Sequence, residues 1–200
     1  MAYSYQEIIL VFAIILAFVG SGSYIVSILR EKTKPHFYTH FIWSLLTFIA
    51  FFAQLHDKAG PGAWAVGTTG ITVFFTAILA LKYGEKQVTR GDKFALFAAL
   101  IAMLPWIITD DPLGSVILVA VIDIIAYYPT MRKSWNKPWE ENLTSYSIGS
   151  VKFALSIAAL THFTPVTTVY PSAIVIANSA FIFLCLWRRQ VIKQTVVTDI

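Results

Sequence analysis

One cysteine, Cys185, in a chain of 200 residues excludes an intramolecular disulfide and leaves the redox compartment open. Charge is scarce too. Asp, Glu, Lys and Arg together make up 13% of the residues against 57% hydrophobic, whereas soluble domains carry about a quarter charged. With a mean hydropathy of +0.68, this composition excludes an ordinary soluble domain. No Lys or Arg precedes the first apolar run, and the run exceeds the roughly 7–15 residues of a signal peptide's core. A membrane span is therefore expected there. The chain also lacks a phosphate-binding loop, a dinucleotide fingerprint, a recognisable nucleophile motif and paired catalytic carboxylates, so an enzyme is not expected.

What the chain has in abundance is apolar runs near the ~20 residues that a bilayer crossing needs. They lie at 7–29, 37–55, 63–81, 94–109, 113–131, 142–161 and 171–187, the fourth being the shortest and carrying Pro105. Charge supports seven. With the loops taken alternately, one side holds Arg30, Lys32, Lys34, Lys82, Lys86, Arg90, Lys93, Arg132, Lys133, Lys137, Arg188, Arg189 and Lys193; the other holds only Lys58. Basic loops stay cytoplasmic. The N-terminus is therefore expected outside and the C-terminus in the cytoplasm, and the net charge of +4 reflects topology, with no nucleic-acid partner.

A segment occurs twice, 103 residues apart: YIVSILREKTKP from Tyr24 to Pro35 and YYPTMRKSWNKP from Tyr127 to Pro138. Tyr24/Tyr127, Lys34/Lys137, Pro35/Pro138 and Ser44/Ser147 match, and Trp43/Tyr146 is a similar pair. Both copies fall at the end of the first span of a three-span set, as in transporters built from internal repeats. The expected fold class is an all-α integral membrane protein, in which seven transmembrane helices form two parallel three-helix repeats joined by a linker helix. The first repeat occupies 1–91, the linker 92–111, and the second repeat 112–200 with a short cytoplasmic tail. Asp111-Pro112 reads as an N-cap followed by proline at the first helical position, and Asp92 as the cap of the linker. Glu140 and Glu141 read as acids in the first turn of the sixth span, where the helix dipole favours them.

Polar groups within a bilayer are costly, so their placement points to function. Asp123 in the fifth span and Lys152 in the sixth lie at ~9 and ~15 Å from the cytoplasmic side, given ~1.5 Å per residue. They are expected to pair, with Tyr127 one turn on from Asp123, either to fix packing or to carry protons. Ser145, Gly149, Lys152 and Ser156 share one helix face, as do His36, His40, Trp43, Thr47 and Gln54 on the second span. The His36/His40 spacing could chelate a metal, but no acidic or cysteine ligand is obvious nearby, so no metal site and no cofactor are expected. Asn178 lies in mid-span. Thr68, Thr69, Thr72 and Thr76 line the third span, and Trp43 and Tyr146 are deep enough to stack on a solute. The remaining tryptophans, among them Trp64, Trp135, Trp139 and Trp187, fit an interfacial belt. Gly20 to Gly22 read as a close-packing site.

The layout of three, one and three spans and the PTMRKSWNKP loop resemble the PQ-loop and SWEET superfamily of small-solute transporters, closer to its prokaryotic members than to the plant sugar transporters. No Pro-Gln dipeptide occurs, and Val26 stands where Pro129 has its match in the first half. The resemblance implies Pro129 as a hinge in alternating access and Asn178 as a solute contact, with Thr72 replacing its partner in the third span. Asn178, Thr72, Trp43 and Tyr146 would hold a small polar solute, sugar-like or amino-acid-like, while Asp123, Lys152 and Tyr127 would couple protons or lock one state. Two other classes fit the same sequence: a binding receptor without turnover, as in the KDEL-type receptors of that superfamily, and a structural membrane protein. The absence of sorting sequences suits a prokaryotic inner membrane.

Overall fold

The structure, a computed structural model, describes residues 4–85, 89–102 and 111–198. Lys86, Pro105 and the end of the expected fourth span lie outside the described residues. The described residues form helices and connecting turns, with no strand among them: α1 (Tyr5–Leu29), α2 (Phe37–His56), α3 (Pro61–Tyr83), α4 (Arg90–Ala102), α5 (Pro112–Ala126), α6 (Tyr128–Asn136), α7 (Leu143–Ala158) and α8 (Pro165–Thr198). Five stretches are long and apolar enough to cross a membrane: α1, α2, α3, α5 continued into α6, and α8 up to Ile192. The fold is that of an all-α membrane protein with several apolar helices. The 16 residues of α7 fall below the usual crossing length.

Local chemistry sets these boundaries. Ser4 and Glu7 form a reciprocal capping box that starts α1. Asp111 Oδ1 accepts from the backbone N–H groups of Leu113 and Gly114 at 3.1 Å, and Pro112 follows, as its sequence implies. Asp92, by contrast, falls inside the first turn of α4, which begins at Arg90, so it does not occupy the cap position. The cap of α7 is Asn142, whose Oδ1 accepts from Ser145 N at 3.2 Å. Glu140 and Glu141 therefore precede that helix and are not its first-turn acids.

Two helices differ from expectation for one reason, proline. The chain breaks between α5 and α6 at Tyr127, two residues before Pro129, because proline cannot continue the i to i−4 ladder. In α8 the opposite happens. The helix starts at Pro165, six residues before the expected 171, and runs through Pro171 to Thr198, so the expected tail is a helical extension. The carbonyl that Pro171 leaves without a helical donor is that of Thr167, four residues back. Gln54 Nε2 on α2 donates to it at 3.1 Å. A side chain from another helix thus completes the ladder.

The helices pack as a bundle in which α1 contacts α3 and α7, α2 contacts α3, α5 and α8, and α8 contacts α5 and α7. Small residues permit the close approaches. A Cβ on Gly62 would stand 2.6 Å from the Ser156 carbonyl oxygen, and one on Gly20 2.9 Å from Ile148. Gly22 meets nothing within 4 Å, so only Gly20 of the Gly-Ser-Gly stretch serves packing. One face of α1 stays outward, with Val11, Phe12, Ile15, Phe18 and Val19 exposed, and the same holds for Trp64, Trp135, Trp139 and Trp187.

Candidate functional site

At the centre of the bundle lies a cavity of about 120 Å³, lined from α1, α2, α3, α5, α7 and α8 and from Tyr127 at the break after α5. One buried water needs about 10–15 Å³ on this measure, so there is room for on the order of ten waters or one small solute. Asp123, Lys152, Asn178, Tyr127, Trp43 and Tyr146 all line it. Thr72 does not. It is buried on α3 with its hydroxyl donated to the Thr69 carbonyl at 2.9 Å, and the threonines of that helix that line the cavity are Thr69 and Thr76.

Helix periodicity places these groups. On α2 the stripe His36, His40, Thr47 and Gln54 is buried, and His40, Trp43 and Thr47 reach the cavity. On α7 Ser145, Gly149 and Lys152 reach it, while Ser156 lies further along the same face with its hydroxyl donated to Phe153 O at 2.7 Å. His40 Nδ1 is 3.1 Å from His36 O, and among the described residues no three metal-ligating side chains gather at one point.

Asp123 and Lys152 share the cavity without touching. Among the described residues the ion pairs within 4.0 Å are Lys133–Glu141 and Lys137–Glu140, so the expected Asp123–Lys152 pair is not formed. Lys152 Nζ donates to Thr69 Oγ1 at 2.6 Å on α3 and lies 4.3 Å from the Phe153 ring. Asp123 Oδ1 accepts from Tyr170 Oη at 3.4 Å, and Tyr170 Oη in turn lies 2.8 Å from Thr47 Oγ1. The Trp43 indole donates to the backbone carbonyl of Asp123 at 3.4 Å. The two side chains point at different partners, Lys152 at Thr69 and Asp123 at Tyr170.

Asn178 accepts a hydrogen bond from Tyr127 Oη through its Oδ1, while its Nδ2 would stand 3.1 Å from a Cβ on Gly149. The missing side chain at 149 is what gives the amide its space. Aromatic rings form much of the remaining wall: Trp43 and Tyr127 lie 4.6 Å apart, Tyr146 and Phe181 4.7 Å, and Tyr24 and Tyr146 meet edge-on at 6.4 Å.

Next to the cavity wall at Tyr24 and Tyr146, a polar knot built on Glu141 ties the two Lys-Pro loops together. Glu141 is buried, pairs with Lys133, and accepts from both Tyr24 and Tyr146 hydroxyls at 3.4 Å. Lys133 Nζ also donates to the Lys34 carbonyl at 3.1 Å, and Arg189 Nη2 donates to the carbonyls of Pro138 at 2.8 Å and Glu141 at 3.3 Å. The opposite end of the bundle is tied by one backbone and one side-chain contact. Thr161 N donates to Ala59 O at 3.2 Å, and Thr164 Oγ1 donates to the Asp57 carboxylate.

Glu141 and Tyr170 are the two residues of this site that sequence reasoning missed. Glu141 looks like any helix-leading acid. Its one distinguishing signal is a neighbouring Asn142 that fits the cap better. Tyr170 precedes a proline that reads as a helix boundary.

Compared with family models, with curated proteins and with solved structures, the chain finds no match. What the fold defines on its own terms is a multi-pass, all-α membrane protein with a polar cavity at its core.

Proposed function

We propose that this chain is a transporter that moves a small polar solute through its central cavity by alternating access. The observation that carries the reading is the convergence of the buried Asp123, Lys152 and Asn178 on one cavity among apolar helices. A bilayer-embedded bundle has no structural need for two such charges, and ionisable groups at that depth mark solute or ion pathways.

The two-repeat architecture supports the reading. Under the 103-residue offset α1 corresponds to α5 with α6, α2 to α7, and α3 to α8. The packed pairs then exchange among themselves: α1 on α7 answers α2 on α5, α1 on α3 answers α5 on α8, and α2 on α3 answers α7 on α8. The ring contacts do likewise, since Tyr24 meets Tyr146 and their counterparts Tyr127 and Trp43 meet each other. Lys58 and Thr161, themselves 103 residues apart, are joined at 3.4 Å through the Lys58 carbonyl. In this arrangement the cavity sits between the halves, as in transporters with parallel repeats. The resemblance to the PQ-loop and SWEET superfamily points the same way.

With the basic loops in the cytoplasm, the Glu141 knot closes the cytoplasmic side and the Thr161–Ala59 contacts close the outer side. The break before Pro129 supplies a hinge on which α6 and its Lys133 can swing away from Glu141. Asp123, linked to Tyr170 and Thr47, is the candidate proton carrier, and Asn178 the candidate solute contact.

Counterflow in proteoliposomes tests this, with a pooled panel of labelled sugars, amino acids and nucleosides. Uptake by the wild type that is lost in Asn178→Ala supports a transporter with its site at the cavity. A folded protein that moves nothing in the panel contradicts it and leaves a binding receptor or a structural role.

A further inference from the structure

We propose that the solute recognised in the cavity is a zwitterion of amino-acid type, its carboxylate taken by Lys152 and its ammonium by Asp123. The inference rests on the reading of the cavity as a solute site and names the chemistry of what enters it.

The two ionisable side chains are held apart on the wall of one cavity. Lys152 on α7 is 6% exposed and Asp123 on α5 2%, both helices packing on α8, and neither has an oppositely charged partner within 4.0 Å among the described residues. The Lys152 ammonium carries three donors, of which one is used, on Thr69. Asp123 receives one hydroxyl, from Tyr170, on Oδ1, and no hydrogen bond to Oδ2 is formed within the described protein. A buried charge left without a counter-charge is costly, and each of these groups, held by one neutral partner, keeps binding capacity toward the cavity.

The choice among ligand classes follows from what each would leave behind. A sugar would offer hydroxyls to both groups and neutralise neither. A simple carboxylic acid would satisfy Lys152 and repel Asp123, and a simple amine would do the reverse. Only a solute carrying both charges compensates both side chains, and each of its ionised groups then gains a counter-charge that offsets the cost of leaving water. The surroundings suit such a solute. The Trp43 indole, anchored to the Asp123 backbone, gives an ammonium an aromatic neighbour, and Tyr127 and Asn178 add hydrogen-bonding groups beside an apolar wall.

The test is ligand-induced thermal stabilisation of the purified full-length protein. The probes are the pooled standard amino acids, the amines and carboxylic acids that lack one of the two charges, and glucose. The expected result is that at least one amino acid binds at least tenfold more tightly than its own amine and acid analogues and than glucose. In Lys152→Gln the preference for the amino acid over its amine falls at least tenfold; in Asp123→Asn the preference over its acid does. Glucose or a single-charge analogue binding as tightly as every amino acid overturns the inference, and so does an absence of binding by all of the amino acids. The wild-type selectivity decides the matter even where a variant does not fold. Binding of an amino acid without flux in proteoliposomes overturns the transport reading and leaves the zwitterion site standing. Flux of a sugar without amino-acid binding does the converse.

Discussion

Tyr24 and Tyr146 stand edge to face with ring centroids 6.4 Å apart, and both hydroxyls donate to the same oxygen, Glu141 Oε2, at 3.4 Å. The rings face the cavity while the hydroxyls reach the Glu141–Lys133 pair, so the wall of the site and the closure of the bundle are one structure.

Removing the Glu141 charge leaves Lys133, whose side chain is 11% exposed, without its partner. Breaking one member of a buried pair costs about 3–5 kcal/mol, whereas an apolar replacement of both can be neutral. Glu141→Gln should lower the unfolding temperature in detergent clearly, and Glu141→Leu combined with Lys133→Met should recover most of the loss. A double variant less stable than the single one would contradict this.

Gln54 and Pro171 should be coupled. Gln54→Leu strands the Thr167 carbonyl at a cost of about 1–3 kcal/mol, the penalty for an unsatisfied buried polar group. Pro171→Ala restores the backbone N–H four residues on, so in that background Gln54→Leu should cost little. A double-mutant cycle on unfolding free energies checks it; additive effects would show that the Gln54 bond is not what accommodates the proline.

Gly149→Ala places a methyl 3.1 Å from Asn178 Nδ2 and crowds the amide that faces the cavity. Solute binding is expected to fall at least tenfold with little change in stability. Gly22→Ala, which meets nothing within 4 Å, should alter neither, as parallel binding and melting curves would show.

Asp123→Asn removes the ionisable group of the Tyr170–Thr47 chain while keeping its shape. Net uptake, measured with solute in excess of the variant's weakened affinity, should lose its dependence on external pH. An unchanged pH profile would remove Asp123 from the coupling role.

Much of this architecture is written openly in the chain. The apolar runs set α1, α2 and α3 to within two residues, because a membrane helix must satisfy its backbone internally. The repeat pairs Tyr24/Tyr127 and Trp43/Tyr146 all reach the cavity, as does Asn178. What periodicity cannot supply is azimuth. Four threonines on α3 are chemically alike, and a rotation of less than one turn decides that Thr69 and Thr76, not Thr72, reach the cavity. The same limit separates Asp123 from Lys152, which line one cavity but are turned to Tyr170 and Thr69. The remaining gap is tertiary satisfaction: nothing local marks Glu141 as buried or Pro171 as helical, since their partners lie 117 residues away at Tyr24 for the one and on α2 for the other.

Access to the cavity from both faces of the membrane is the most direct test of the account. Thr76 lines the cavity, and its hydroxyl bonds to its own helix at Thr72 O, so Thr76→Cys in a Cys185→Ala background is a mild probe. Right-side-out and inside-out vesicles would be treated with a membrane-impermeant thiol reagent. Alternating access predicts labelling from both sides, each slowed by the solute. Labelling from one side only, whatever the solute, would contradict a transporter.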